Sequence, residues 1–498
     1  MKQLRIALVI LTMNIAYSGY GQYFSNLYID GRPSMLFGSI QQLNGKLYVT
    51  GVTTTTRNSN YQKAVFGKIS DTGHEIFINS IVDSDSYSYD IFYNSLKRTT
   101  KGNFITTGYV NDSTQKAFLM EVDTNGQILL WHEYTESDQL IFQGQDIVEI
   151  PDSGFLLAVN VDFADVSNVR LIRTDLAGNI IEQNNYFFGQ LAIPSVIRSM
   201  FNGHYMVGAF SLKPNPNTPY WSKTWLIEVD RMGNMIRDWK DTSNKNSQPF
   251  GMEQTADSGW IITRQHVAYD LANVQAYNGS VLKLDKNFNK QWEIDTGGYD
   301  FNAGTFDVKI LNDGNYICVG SEGINITQDS SLDYGWLMKV SAEGKIIWQR
   351  DYAADISFEA ANYLNSIALM PDGSFAACGR TESGTYGQQG WIIRTDSTGC
   401  LLNDCGREMT AIDNTSPMPV KIKCYPNPAS DYLIVETQNI IPDALLQITD
   451  NLGRMVFQQK LNATDTQLSL SNQPDGIYFV RVSNSTGVLG ASKVVVMH

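Results

Sequence analysis

The 498-residue chain is poor in the features that mark most enzymes and membrane proteins. Beyond its first 21 residues it has no run of 18 apolar residues, so no segment reads as a membrane-spanning helix. Its five histidines, at 74, 132, 204, 266 and 498, are scattered and form no HExxH or HxH pair. Five cysteines include no CxxC, so no zinc signature exists and no metal site is assigned. There is no G-x-S-x-G, no P-loop and no G-x-G-x-x-G opening a helix. Neither a nucleophile elbow nor a cofactor is therefore expected. Basic residues are the minority, 37 against 51 acidic for a net charge of −14. Without a basic stripe to neutralise phosphates, nucleic acid is excluded as a partner.

What is present begins with a secretory signal over residues 1–21. Lys2 and Arg5 precede the apolar run Ile6–Ile15, and Gly19 and Gly21 stand at −3 and −1 before Gln22. Export to an oxidising compartment makes Cys400 and Cys405 candidates for a disulfide closing a small ring. Cys318 and Cys378 sit in apolar strands and read as small buried hydrophobes.

The body repeats itself seven times. AFLMEVDTNGQILLW (from Ala117), TWLIEVDRMGNMI (from Thr224) and GWLMKVSAEGKIIW (from Gly335) share one pattern: an apolar run, Asp or Ser, two polar residues, Gly, and a second apolar run. The marker falls at 70, 123, 175, 230, 285, 341 and 396, in steps of 52 to 56 residues. Gly follows three residues later except in the fifth copy, which has Phe288. Asp opening a turn and Gly closing it at positive φ describe a β-hairpin. About 20 residues upstream comes a turn followed by an aromatic-led strand, as in TKGNFITTG (Thr100–Gly108) and PDGSFAACG (Pro371–Gly379), and ahead of that a shorter strand. Four strands per period predict an all-β protein, a seven-bladed β-propeller of four-stranded blades over residues 22–405. The run Tyr23–Ile29 is expected to dock as the outer strand of the last blade, hiding an edge. Phe118, Trp225, Trp336 and Trp391, five residues before the marker, are assigned to packing between blades.

The D-x-x-G-x-x-x-W pattern resembles the tryptophan-docking repeat of quinoprotein dehydrogenases, and its placement resembles the Asp-box of sialidases. Both likenesses concern a structural turn. The body as a whole resembles secreted repeat proteins of certain Gram-negative bacteria. After a polar linker at 406–421, residues 422–498 resemble the C-terminal sorting domain of type IX secretion cargo. The matching pieces are Tyr425-Pro426-Asn427-Pro428 with ASDYLIVE, the hairpin around Gly453, DGIYFVRV with Gly476 and Tyr478, and SKVVV with Lys493. That resemblance implies a small Ig-like β-sandwich read by the outer-membrane type IX secretion machinery. It also implies a secreted or cell-surface location in a Gram-negative bacterium.

In such a blade one set of connections is short and regular, while the other is long and irregular, as in SLKPNPNTPYWSK (Ser211–Lys223) and QHVAYDLANVQAYNG (Gln265–Gly279). The irregular rim carries Tyr61, Tyr220, Trp221, Tyr269, Tyr277, Tyr334 and Tyr386 as candidate binding residues. The crossovers add Asp83, Asp85, Asp90, Glu136, Asp138, Asp300, Asp355 and Glu359. Loops on a rigid scaffold are where function concentrates, and aromatics beside carboxylates suit sugar rings, against the plain alternative of loop packing. The expectation is a non-enzymatic binder of glycan or protein, more a binder than an enzyme. The alternatives are a polysaccharide-acting hydrolase or lyase using the rim acids, and a purely structural surface protein.

Overall fold

In the computed structural model, each copy of the repeated motif is a hairpin turn closed by its first side chain. Asp123 Oδ1 accepts the N–H groups of Asn125 and Gln127, both at 2.8 Å. Asp175, Asp230, Asp285 and Asp396 do the same for their own turns. Ser70 and Ser341 reach the fourth residue through their hydroxyls. The turn glycine has φ of +84° at Gly126 and +83° at Gly344, and Phe288 takes φ +66° to keep the same turn without glycine.

The structure describes residues 23–28, 34–54, 61–81, 87–401 and 422–498. Within the last two ranges it leaves out 113, 137–140, 164–165, 189–190, 216–217, 244, 270–274, 297–303, 328–329, 356–359, 384–386, 438–443, 451–454, 462 and 485–486. The signal sequence, the linker at 406–421, Tyr386, Gly453 and Cys405 lie outside the described residues.

The described residues of the body are built of strands and turns. The first repeat is Ser34–Leu43, Lys46–Thr54, Gln62–Ile69 and Glu75–Ser80. The second has Ser88–Ile91 and Lys97–Arg98, then Phe104–Asn111, Gln115–Val122 and Ile128–Tyr134. The third is Ile141–Ile150, Gly154–Phe163, Val166–Thr174 and Ile180–Tyr186, and the fourth Leu191–Ser199, Tyr205–Asn215, Thr218–Val229 and Met235–Lys240. Next come Asn246–Gln254, Trp260–Tyr269, Gln275–Leu284 and Lys290–Thr296, then Gly304–Ile310, Tyr316–Thr327, Ser330–Val340 and Ile346–Tyr352. The seventh repeat has Ala361–Leu369, Phe375–Ser383 and Gly387–Thr395. The strand Phe24–Tyr28 pairs antiparallel with Gly387–Thr395.

The expected seven-bladed propeller is corrected by the hydrogen bonding. Among the described residues the body divides into five open sheets, of eight, eight, five, four and four strands, and none closes on itself. The third and fourth repeats merge through the parallel bridge Ser167↔Leu191, and the sixth and seventh through Asp333↔Ala361. A period counts strands within a repeat; it carries no information about which edges bond across a repeat boundary.

Packing follows the repeats. Seven apolar clusters each lie between two repeats, for example Leu226, Trp260 and Ile262 between the fourth and fifth. Another joins Phe37, Val49 and Val65 of the first to Ala376, Cys378 and Ile392 of the seventh. Phe118, Trp225, Trp336 and Trp391 are fully buried in these clusters. A second contact recurs between repeats. The hydroxyl of Tyr134 donates to the carbonyl of Gly178 at 2.8 Å, and Tyr352 to Gly399 at 2.5 Å. Tyr186 reaches Gly233 likewise, and Tyr28 reaches Gly73 at 2.9 Å. Each tyrosine thus clasps the turn glycine of the following repeat.

The C-terminal region is also corrected from the expected Ig-like sandwich. It has a three-stranded sheet, Ile422–Tyr425, Tyr432–Thr437 and Asp465–Ser469, and a four-stranded sheet. The second is ordered Met455–Lys460, Leu445–Asp450, Gly476–Asn484, Gly487–Val496. Its strand Leu445–Asp450 pairs with Gly476–Asn484, a non-local pairing fixed by the shared core of Leu433, Leu446, Val480 and Val494 rather than by a turn signal.

Two glycines separate the local and long-range parts of turn stability. A Cβ on Gly373, at φ +80°, would meet nothing within 4 Å, whereas one on Gly344 would lie 2.6 Å from the Trp292 ring of the preceding repeat. Gly373→Ala should cost about 1–2 kcal/mol from the backbone alone. Gly344→Ala should cost more in parallel denaturant titrations, and equal losses would show that the ring contact contributes nothing.

Candidate functional site

The candidate rim aromatics fall in different settings. Tyr61 is 46% exposed and precedes its strand. Tyr220, Trp221 and Tyr269 lie not in irregular loops but in paired ribbons that extend the second and third strands, with Trp221 opposite Lys213 and Tyr269 opposite Gln275. Tyr277 is half-buried opposite Val267. Tyr334 is only 2% exposed. The expected non-enzymatic binding rim is corrected not by these residues but by the acid site at Asp90. The sequence pattern marked these segments as long, but not that they would pair with each other.

Two ionic clusters missed by sequence reading are matched internally. In the first, Asp146 accepts the backbone N–H groups of Ile147 and Ile197 at 2.9 and 3.0 Å. It also meets Lys97 at 2.9 Å and Arg198 at 2.7 Å. Asp307 holds Val308, Ile367 and Lys309 in the same manner, and Lys309 bridges on to Glu253 at 3.0 Å. Burial and the neighbouring Arg198 charge lower the Lys97 ammonium to about 8, against the pull of Asp146. These groups stand beside β-bulges in the first strands, at Gly144/Asp146 and Thr305/Asp307, and tie one repeat to the next.

The second cluster centres on Arg264, which donates to Asp241 at 2.8 Å and also to Glu293. His266 donates from Nδ1 to the Asn246 carbonyl at 2.7 Å, leaving Nε2 to accept from the Ser280 hydroxyl at 2.7 Å. His266, Glu293 and Asp295 have ligand atoms within 4.8 Å of one another, a spacing fit for a metal ion. Their charge is already met by Arg264, Lys245 and Lys290. Burial would raise the Glu293 carboxyl, but hydrogen bonding and the Arg264 and Lys245 charges outweigh it and hold it well below the carboxylate range. The group comes from two strands that are not neighbours in sequence, so no sequence spacing could reveal it.

Asp90 is different. It lies in Ser88–Ile91, opposite Tyr109, whose hydroxyl donates to Oδ2 at 3.2 Å. Burial pushes its carboxyl up to about 6, against the lowering effect of the Tyr109 hydroxyl and the Ile91 N–H. Gly108 permits this approach, since a Cβ there would stand 1.9 Å from the Asp90 carbonyl oxygen. The Phe92 ring lies 5.8 Å from that of Tyr109. Adjacent Tyr93 accepts from Arg380 at 3.0 Å, and the Arg380 guanidinium lies 4.5 Å from the Tyr363 ring centroid. The Tyr363 hydroxyl in turn donates to Asp333. Phe92, Tyr93, Tyr109, Tyr363 and Arg380 are all half-buried, so the constellation opens to solvent. It corrects the expectation that the body is more a binder than an enzyme. Asp90 was among the crossover acids; Tyr109, Arg380 and Tyr363 gave no sequence signal.

Of the other crossover acids, Glu136 pairs with Arg170, and the Asp355 N–H donates to Asn362 at 3.1 Å. Asp83, Asp85, Asp138, Asp300 and Glu359 lie outside the described residues. Cys400 is disulfide-bonded.

The sorting motif has a clear structural use. The Asn427 side chain accepts from Val495 N–H at 2.8 Å and donates to the Lys493 carbonyl at 3.1 Å, pinning the last strand. The peptide bonds before Pro426 and Pro428 are both cis. Gly476 opens the strand opposite Val496, and the buried Tyr478 donates to the Pro474 carbonyl at 2.7 Å.

Residues 423–497 match the secretion system C-terminal sorting domain family. No curated protein matches the chain. Among solved structures it is similar to puromycin hydrolase at 12% identity and TM-score 0.46, over 85% of this chain and 62% of that one. The chain thus spans less than two thirds of that hydrolase. A protein of unknown function from Dyadobacter fermentans gives 9% identity and TM-score 0.44, over 74% and 97%. An α-L-arabinofuranosidase of Fusarium graminearum gives 11% and 0.41, over 76% and 99%. All three TM-scores lie below 0.5, and function rests on this chain's own residues. Among the described residues no helix is long and apolar enough to cross a membrane. The C-terminal match places the protein as type IX secretion cargo, delivered to the surface or exterior of a Gram-negative bacterium, with that system's translocon as a partner. Deleting 423–497 should leave the body in the cell envelope, as fractionation and immunoblotting of cells and medium would show; normal export would contradict the role of this region.

Proposed function

We propose that the body is an exported hydrolase acting on polysaccharide, with Asp90 as the general acid. The observation that carries this reading is the Asp90 carboxyl, partly open to solvent yet raised to about 6 by burial. A carboxyl that stays protonated near neutrality can protonate a glycosidic oxygen as the bond breaks. Glycoside hydrolysis needs a second carboxylate within about 5–10 Å of the acid; Asp333, buried beyond Tyr93, Arg380 and Tyr363, anchors that run of contacts rather than filling this role. The rings of Phe92, Tyr109 and Tyr363 offer faces on which sugars stack, and Arg380 offers donors for hydroxyls or uronate groups. A secreted location fits an extracellular polymer as substrate.

The test is release of reducing ends from a panel of neutral and acidic polysaccharides by the purified protein. Activity should fall as pH rises through about 6, because the acid form of Asp90 is the competent one. Asp90→Asn should lower kcat by at least about 100-fold. The same substitution should relieve the cost of ionising a buried carboxyl. A raised pKa means stability that is full below the ordinary carboxylate range and lost as pH climbs through about 6, so the wild-type melt should drop more than that of Asp90→Asn between about pH 4 and 7. Full activity of Asp90→Asn would remove this residue from the mechanism.

A further inference from the structure

The sheet of the sorting region that ends the chain has two faces. Tyr478, Val480, Val482, Val494 and Val496 turn into the region's own core. Ile477 and Phe479 alternate with them and face the other way. Ile477 is nevertheless only 5% exposed. What covers it is the body: Ile477 and Phe479 form one apolar cluster with Tyr334 and Ala360. Lys493, opposite Phe479 in register, reaches across the same boundary and places Nζ 3.5 Å from the centroid of the Tyr334 ring.

Two carboxylates stand on the strands beside Tyr334: Glu322 opposite it in register, and Asp351 opposite Trp336. Gln349 Nε2 donates to Glu322 at 3.4 Å and to Asp351 at 3.2 Å, so one amide ties both acids together. Burial raises both carboxyls and lowers Lys493, while the Lys493 charge lowers the acids and theirs raises it. Desolvated charges of this kind persist only when matched, and an aromatic face adds to the attraction for an ammonium.

We propose that Tyr334, Glu322 and Asp351 form a receptor for a primary ammonium, and that Lys493 is its resident occupant, latching the sorting region onto the body. Tyr334, an expected ligand-binding residue, and Lys493, part of the sorting motif, are thereby two halves of one contact. Separation of the sorting region uncovers an acid pair under an aromatic ring, ready for another amine.

The test uses the full chain. Lys493→Met should unlatch the region and raise the radius of gyration in small-angle X-ray scattering. Glu322→Gln with Asp351→Asn should do the same from the body side, and so answers the question if the lysine variant fails to fold. Lys423→Met, a change on the same region away from the contact, should leave the scattering as in wild type. The emptied receptor is probed with n-butylammonium by saturation-transfer NMR. Binding should be at least tenfold stronger to Lys493→Met than to wild type, and should disappear when the two acid substitutions are added. Unchanged scattering in both unlatching variants, or amine binding indifferent to them, would overturn the proposal.

Discussion

The turn residue three positions after each Asp or Ser sets two things at once. Its positive φ ends the hairpin, and its bare Cα leaves room for a side chain from the repeat before. Its carbonyl then receives a tyrosine hydroxyl from that same neighbour in four places. Local chain reversal and long-range packing therefore depend on one position, which fixes the distance between copies of the motif. The fifth repeat shows the rule by its exception. Phe288 keeps the backbone conformation, and the contact is inverted: the Arg237 guanidinium of the preceding repeat lies 4.3 Å from the Phe288 ring centroid. A cation over a ring replaces a ring over a glycine.

Local chemistry was legible in the sequence, and non-local pairing was not. The Asp-to-Gly turn, the strands on either side and the Tyr-Pro-Asn-Pro region are written in consecutive residues. The bridges Ser167↔Leu191 and Asp333↔Ala361 depend on how strands from different repeats meet, so separate blades were expected where sheets merge. The same limit applies to the site. Asp90 could be named from its place in a crossover, but Tyr109 and Arg380 join it only through pairings across strands and repeats. Tyr334 read as an exposed rim aromatic because nothing in its neighbourhood announces that Lys493, far along the chain, will cover it.

Partner chemistry sorts the half-hidden acids into two kinds. Glu293 is surrounded by Arg264, Lys245 and Lys290 and is held low despite burial; Asp146 and Asp307 are likewise spanned by cations and by the backbone amides of the next repeat. Such acids are part of the frame. Asp90 is held by a hydroxyl and an amide, which relieve less of the desolvation cost, and its carboxyl moves the other way. Among the described residues, the absence of a cation from its hydrogen-bonding partners, rather than burial, sets Asp90 apart from these acids of the frame.

The pairing of Phe24–Tyr28 with Gly387–Thr395 also orders events in time. The Trp391 indole donates to Ser25 across 366 residues of chain, while the other body strands pair within a repeat or with its neighbour. During synthesis from the N-terminus, the strand Phe24–Tyr28 emerges long before its partner exists. Closing so large a loop comes late, because its entropy must be met before any contact rewards it. Until then both edges stay unpaired, and the nascent body remains a substrate for whatever keeps exposed strands from joining to others.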